Sequence, residues 1–459
     1  MNYRQQITSL LEHDAGFARS AELIEKLVQR KELKVVNFSH HDLDGVACAY
    51  ILQRLFRRFG FKVTTMLPEE FKLSRETLEA TVGDDVDLLI ISDKGTFASY
   101  DGFLEKAENI LIVDHHTPDG NPEKAVIFNP SMERHVTTAA SLLCHMLATQ
   151  ITSTDEYDDF VALVGCRGDF TFDPVEQKYA DFVRPFIERL MKMYPRFFKT
   201  RLGRPTMYDI RDRRRTALIN QIAEALHAGT LAHYYGDISA FGRSGQELVL
   251  GFLNNLAAAS PLLFRNLEDF LEAAPAGRAI LRALADFRHD WDLIELRVKS
   301  PIFLGEIQNV GVYLIFAREA DRLQSAPFPA VLPYVASTQL EPLKRAFGHT
   351  ETMIVVVCPK KNGVHISMRG GGGIIDCSRI CYQLADRLRR LYPEIGGIEG
   401  GGHVDAAECF TSKSLPLYSA VRELILMMKE HFQETQTENI GALLKGDDNE
   451  NASHNHLQI

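Results

Sequence analysis

The chain has 459 residues, 45% of them hydrophobic, and a formal net charge of −10. That length suggests roughly three domains with ordinary cores. The acidic balance excludes a protein that coats long duplex DNA through a basic surface, leaving a local basic patch or short pieces of nucleic acid.

No apolar run reaches the roughly 18 residues of a membrane helix, and residues 1–6 open no signal-peptide core. The seven cysteines, Cys48, Cys144, Cys166, Cys358, Cys377, Cys381 and Cys409, form an odd, scattered set without a CxxC pair. They read as reduced core thiols, so the expected location is the cytoplasm, with no membrane partner.

Residues 1–33 read as one or two amphipathic helices, 17–33 being the clearer. A strand over 34–38 leads into Ser39-His40-His41-Asp42-Leu43-Asp44-Gly45 and then a helix over 46–59. On an extended segment, residues two apart share a face. His40, Asp42 and Asp44 therefore line up, and a His-x-Asp-x-Asp face at a strand–helix junction has metal-ligand spacing. Gly45 is expected to permit the tight turn into the helix.

Strands follow over 62–66 and 87–93, the latter apolar and ending in Asp93. The run Asn109-Ile110-Leu111-Ile112-Val113 then stops at Asp114-His115-His116, with Pro118, Gly120 and Pro122 behind it. A buried apolar strand cannot end in three ionisable side chains cheaply unless something binds them. In a parallel sheet the strand carboxyl ends share one edge, where α/β proteins place ligands. Asp42, Asp44, Asp93, Asp114, His115 and His116 should converge there, a carboxylate–imidazole mixture suited to a divalent transition metal.

A strand over 125–128 precedes Asn129-Pro130. A helix over 138–149 packs through Leu142, Leu143, Met146 and Leu147, with Thr137 or Thr138 as its cap. A helix over 155–165 ends in Cys166-Arg167-Gly168-Asp169-Phe170, where Asp169 has no evident structural reason. Residues 175–330 carry no motif. Their basic stretch, Arg196 to Arg215, reads as a solvated helix face ahead of a phosphate track. Residues 246–300 are helix-rich, 306–316 has strand character, and 325–329 reads as a linker.

Further on, a strand over 352–358, a turn over 360–363 and a strand over 364–369 lead to Gly370–Gly373 and a helix over 376–392. The stretch Gly396-Gly397-Ile398-Glu399-Gly400-Gly401-Gly402-His403 reads as a loop whose amides can wrap an anion, with His403 adding a charged contact. Residues 433–459 read as a disordered acidic tail.

His40-x-Asp42-x-Asp44-Gly45, Asp93, Asp114-His115-His116 and Gly168-Asp169 occur in the order and approximate spacing of the DHH phosphoesterases. This superfamily includes RecJ exonucleases, oligoribonucleases of the NrnA and NrnB kind, and family II pyrophosphatases. Ser367-x-Arg369 and Gly400-Gly401-Gly402-His403 with Ala406-Ala407 resemble the DHH-associated C-terminal domain. Glu408 departs from it, standing where the family has a small residue. Arg167-Gly168-Asp169 lacks the Thr-Asp-Thr-Gly of NrnA-type members, which favours a RecJ-like or NrnB-like kinship.

The resemblance implies an α/β fold: a parallel-sheet DHH catalytic domain over 1–175, a largely helical insert over 176–330, and a smaller α/β substrate-binding domain over 331–432 across a cleft. It also implies two Mn²⁺ ions, with Mg²⁺ or Co²⁺ as alternatives. His40 and Asp42 would hold one and Asp44, His115 and Asp169 the other, with Asp93 bridging. His116 would face the scissile phosphate, Asp114 would orient a histidine, and Arg369, Gly400, Gly401, Gly402 and His403 would hold the substrate. The implied activity is hydrolysis of single-stranded nucleic acid or short oligonucleotides to nucleoside 5′-monophosphates. Alternatives are a phosphoesterase for a signalling dinucleotide or adenosine 3′,5′-bisphosphate, or a non-catalytic nucleic-acid-binding scaffold. The oligomeric state stays open, a dimer included.

Overall fold

The computed structural model describes residues 5, 7, 10–12 and 14–430, except 84, 257–259, 327, 361–362 and 412–414. The expected tail over 433–459, the tip of the 360–363 turn and Pro327 of the expected linker lie outside the described residues. The chain divides into two compact units, Met1–Asp292 and Leu293–Ile459.

The first unit is built on five strands: β1 (Val35–Ser39), β2 (Val63–Met66), β3 (Val86–Ser92), β4 (Ala107–Val113) and β5 (Val126–Phe128). They form one sheet in the order β2-β1-β3-β4-β5, and every pairing is parallel. β3 and β4 are apolar over Leu88–Ile91 and Ile110–Val113, where both sheet faces are covered; Leu89, Ile90, Ile91, Leu111, Ile112 and Val113 are fully buried. Burying each such side chain contributes about 1.5–3 kcal/mol. Register then places the chemistry. Ser39 pairs with Ser92, Ser92 with Val113, and Val113 with Phe128, so the carboxyl ends are level. Strand order reverses beside β1, and residues after β1 and β3 therefore flank the crevice of a doubly wound sheet.

Helices Ala15–Leu27, Leu43–Arg57, Ala140–Ile151 and Glu156–Gly168 belong to this unit. The last is longer than expected: Cys166, Arg167 and Gly168 form its final turn, and Asp169 is its C-cap. Thr137 and Thr138 do not cap Ala140–Ile151; Ala139 occupies the cap position without a side-chain bond. The remainder of the unit has helices Arg184–Met193, Leu218–Thr230, Gly245–Asn255 and Gly277–Glu295, the last of which runs across the unit boundary. It also has two short antiparallel ribbons, β6 (Phe172–Asp173) with β7 (Lys178–Tyr179) and β8 (Thr200–Leu202) with β9 (Arg215–Ala217).

The basic stretch is thus not a helix face. Arg201 donates to Gln221, Arg204 pairs with Asp292, Arg213 donates to the Thr206 carbonyl, and Arg215 donates to Thr200. These cations are used locally, with the ribbon in place of the expected helix.

The second unit has one six-stranded sheet: β10 (Ile302–Ile307), β11 (Val310–Phe316), β12 (Glu351–Lys360), β13 (Gly363–Gly370), β14 (Ile398–His403) and β15 (Ala406–Thr411), in the order β10-β11-β12-β13-β15-β14. Strand character read over 306–316 resolves into two strands of this sheet. They turn at Gln308 and Asn309, both with positive φ, as a two-residue hairpin of this hand requires. Helix Cys377–Leu391 and the helical residues 417–430 share a core with the sheet through Met353, Val355, Ile366, Leu384, Leu388 and Leu424.

Candidate metal centre

β1 ends at Ser39, and helix Leu43–Arg57 starts after Asp42, its N-cap. Asp42 accepts from the Gly45 N–H at 2.9 Å. His40, Asp42 and Asp44 therefore do not lie on one extended segment: a turn separates them and Asp44 belongs to the first helical turn. Gly45 is needed for close approach rather than for a tight turn. A Cβ there would collide with the His40 carbonyl oxygen.

The outcome is two groups instead of one face. Ligand atoms of His40, Asp42 and Asp93 lie within 4.8 Å of one another, and so do those of Asp44, Asp93, His115 and Asp169. His40 Nδ1 is 3.1 Å from Asp42 Oδ2 and 3.8 Å from Asp93 Oδ2. His115 Nε2 is 3.2 Å from Asp93 Oδ1, 3.0 Å from Asp169 Oδ2 and 4.0 Å from Asp44 Oδ2. Asp93 belongs to both groups. Its φ of +60° turns the chain sharply after β3, a conformation Asp tolerates better than most residues.

Beside them, His116 Nδ1 lies 2.8 Å from Asp114 Oδ1. The other Asp114 oxygen accepts from Thr96 Oγ1 at 2.8 Å and Asn129 Nδ2 at 3.2 Å. Burial alone would raise the Asp114 pKa, but His116, then His115 and Thr96, hold it below the ordinary range. An ionised Asp114 accepts from His116 Nδ1 and so fixes the orientation of the ring, with Nε2 on its far side. Thr96, Asn129 and Phe71 escaped the sequence reading. Asn129 follows β5 as Asp93 follows β3, so the same strand-end logic points to it. Phe71 sets its ring edge-on to His40 and His116, with centroids 5.7 and 5.0 Å away, from a loop without sequence signature.

Electrostatics say what the cluster lacks. Burial, then Asp169, pushes the Asp44 pKa well above the carboxylate range; burial, then Asp42 and Asp44, does the same to Asp93. Burial opposes charge on His115, but Asp169 and Asp93 lift its pKa well above normal. Burial likewise opposes charge on Asp42, and His40 overrides it, holding the pKa far below normal. Asp93 Oδ2, Asp169 Oδ2 and His40 Nδ1 are buried without a hydrogen bond. Crowded carboxylates with orphaned acceptors and imidazole nitrogens fit divalent cations.

Residues 34–164 match the DHH family, N-terminal domain. Within the first unit, this stretch is a domain of the DHH family. Its fold is similar to that of an exonuclease RecJ bound to manganese, at 15% identity and a TM-score of 0.53, covering 89% of this chain and 93% of the other. It is also similar to the DHH domain of a member of a ribosomal-protein family (15% identity, TM-score 0.57, 94% and 92% covered). A third is CDC45 from Entamoeba histolytica (12% identity, TM-score 0.50, 90% and 99% covered). No curated protein matches. At such identities the likeness shows the fold alone.

In the second unit the expected glycine loop is a strand. Gly400, Gly401, Gly402 and His403 pair with Cys409, Glu408, Ala407 and Ala406 as β14, at the sheet edge. Packing explains the glycines: a Cβ on Gly400 would collide with the Cys381 carbonyl oxygen, and one on Gly401 would lie 3.0 Å from Tyr382 Oη. Arg369 is engaged as well. Its Nη2 is 2.7 Å from Glu408 Oε1, while His365 Nε2 is 3.0 Å from Glu408 Oε2. The residue that departs from the family pattern therefore neutralises the arginine expected to hold substrate.

Proposed function

We propose that this DHH protein is a two-metal phosphodiesterase that hydrolyses single-stranded nucleic acid or short oligonucleotides to nucleoside 5′-monophosphates. The observation that carries this reading is the sharing of Asp93 between two donor groups, with one buried carboxylate oxygen unsatisfied. His40 and Asp42 would hold one ion, Asp44, His115 and Asp169 the other, and Asp93 would bridge. Mixed imidazole and carboxylate donors favour Mn²⁺ over Mg²⁺. When bound, such a pair neutralises phosphate charge and lowers the pKa of bound water.

The chain's own residues do the rest. Asp114 fixes the tautomer and direction of His116, so that Nε2 is presented to the phosphoryl group. Thr96 and Asn129 hold Asp114 in turn. Residues Met1–Asp292 would supply the chemistry, and the second unit would bind substrate through Arg369, Gly400, Gly401, Gly402 and His403. In that unit the pairing of Arg369 with Glu408 leaves less free positive charge than the resemblance implies. A cytoplasmic location follows from the reduced, buried cysteines.

The test is release of AMP from labelled oligoadenylates of graded length, with Mn²⁺ and with EDTA. Activity across lengths supports an exonuclease. Cleavage of dimers alone redirects the assignment to a signalling-nucleotide phosphoesterase. Bound Mn²⁺ without product at any length overturns the enzymatic reading. Matched RNA and DNA identify the sugar preference.

A further inference from the structure

Arg167 is 1% exposed and among the largest fully buried side chains of the protein. Each nitrogen of its guanidinium donates a hydrogen bond. Nε donates to Asn220 Oδ1 at 2.7 Å, Nη1 to the Phe172 carbonyl at 2.6 Å, and Nη2 to the Tyr208 carbonyl at 2.9 Å. The same group lies over the rings of Tyr208, Phe170 and Phe172, at 4.7, 5.4 and 5.7 Å from their centroids. Asn220 donates onward to Asp209 at 2.7 Å, and Asp209 accepts from both the N–H and the hydroxyl of Thr206. Tyr208, Asn220, Asp209 and Thr206 all lie in the part of the first unit for which the sequence offered no motif.

Two residues on from Arg167 stands Asp169, 3.0 Å from His115 Nε2. At about 100° per helical residue, side chains two apart point about 200° from each other. One face of this last turn therefore grips the Asn220–Asp209 network, and the opposite face offers a carboxylate to the metal centre. The stop after it is tight. Phe170 has φ of +55°, and both the N–H and hydroxyl of Thr171 donate to the Cys166 carbonyl. The helix terminus is thus held from behind, and Asp169 has little freedom to swing.

We propose that Arg167 is a positioning residue for the metal centre, through which residues 172–292 set the place of Asp169. The proposal rests on the two-metal reading above. Lysine keeps the charge of Arg167 but cannot reproduce a planar fork that makes three bonds while lying on three rings. Loss of a group that orients a metal ligand typically weakens metal affinity about 10–100-fold.

The experiment is a Mn²⁺ titration of the full chain, read as free Mn²⁺ by electron paramagnetic resonance. It covers wild type, Arg167→Lys, Asp169→Asn and His40→Ala, with circular dichroism confirming the fold. Arg167→Lys should weaken one of two ions about 10–100-fold. That ion should be the one lost in Asp169→Asn, not the one lost in His40→Ala. The double variant Arg167→Lys/Asp169→Asn should be no worse than Asp169→Asn. Arg288→Lys, which disturbs the half-buried pair with Glu224 elsewhere in the same segment, should lower the melting temperature and leave both ions bound. If Arg167→Lys does not fold, Asn220→Ala, which leaves the guanidinium two of its three bonds, must weaken the same ion. Normal binding of both ions by the folded variant overturns the proposal. A wild type that takes up no Mn²⁺ overturns the metal centre itself.

Discussion

Asp44 Oδ2 accepts a hydrogen bond of 2.7 Å from the backbone N–H of Ala140, 96 residues later in the chain. The other oxygen accepts from Ser141 at 3.2 Å. The carboxylate is thus the missing cap of helix Ala140–Ile151, placed where the helix dipole favours negative charge. A would-be metal ligand is thereby fixed by a helix terminus. The close fit leaves no room for a side chain at Gly165, where a Cβ would lie 2.6 Å from Asp44 Oδ1.

Asp44→Asn and Asp44→Ala remove the same charge but differ as caps. Neither should retain the ion held with His115 and Asp169. In EDTA, Asp44→Ala should be less stable than Asp44→Asn by about 1 kcal/mol, the usual worth of an N-cap acceptor. Urea unfolding measures this. Equal stabilities would mean that the contact with Ala140 and Ser141 contributes nothing.

Asp93, like Asp44, links stability to pH. Its folded pKa is raised, by burial first and by Asp42 and Asp44 next. Stability linked to such a group is present below the unfolded carboxylate pKa and is lost as pH rises through the folded value. Metal-free wild type should therefore lose stability between pH 5 and neutrality relative to Asp93→Asn, and asparagine accepts the positive φ. Mn²⁺ at about 100 times its Kd should restore about 2.7 kcal/mol per bound ion to wild type. In Asp93→Asn it should restore almost none, and turnover should be lost. Urea midpoints at both pH values, with EDTA and with Mn²⁺, check this.

The parallel sheet of the first unit was legible because its central strands β1, β3 and β4 are largely buried on both faces. Apolar runs ending in Asp93 and Asp114 mark strand carboxyl ends, and level registry brings those ends together. The path from His40 to Asp44 was misread because periodicity cannot show that a helix begins at Leu43, so one face became two groups around Asp93. Arg167 was invisible for a different reason: its partners Tyr208 and Asn220 are far along the chain, and a lone arginine carries no period. The glycines of β14 were misread because a loop and a strand packed against a helix place the same demand on Cβ.

That ambiguity is testable at Gly400. Alanine there must displace the Cys381 carbonyl of helix Cys377–Leu391, and overpacking of this kind costs about 1–3 kcal/mol. Gly400→Ala should raise hydrogen exchange in β14 and β15 without any ligand present. His403→Ala, at the end of the strand, should leave that exchange unchanged. If His403 binds substrate, its loss should raise KM and leave kcat largely intact. A collapse of kcat at constant KM would remove it from substrate binding.

Glu408 bridges His365 and Arg369 in the second unit, and its titration should be felt in β13 and β15. Burial acts to raise its pKa, but His365, Arg369 and Ser367 overcome this and hold it well below the carboxylate range. A depressed folded pKa gives stability that is fully present above the unfolded value, roughly 4.3, and lost as pH falls toward the folded one. Amides of β13 and β15 should therefore lose protection more steeply in wild type than in Glu408→Gln when pH is lowered from 6 to 3. At neutral pH the variant should be the less stable of the two, because Arg369 is left partly buried without its carboxylate. The same change frees the guanidinium. Glu408→Gln should then bind a phosphate-ended oligonucleotide more tightly than wild type, and hydroxyl-ended and phosphate-ended pairs compared by fluorescence anisotropy read that out. Unchanged selectivity between the two ends would separate Arg369 from the recognition of phosphate.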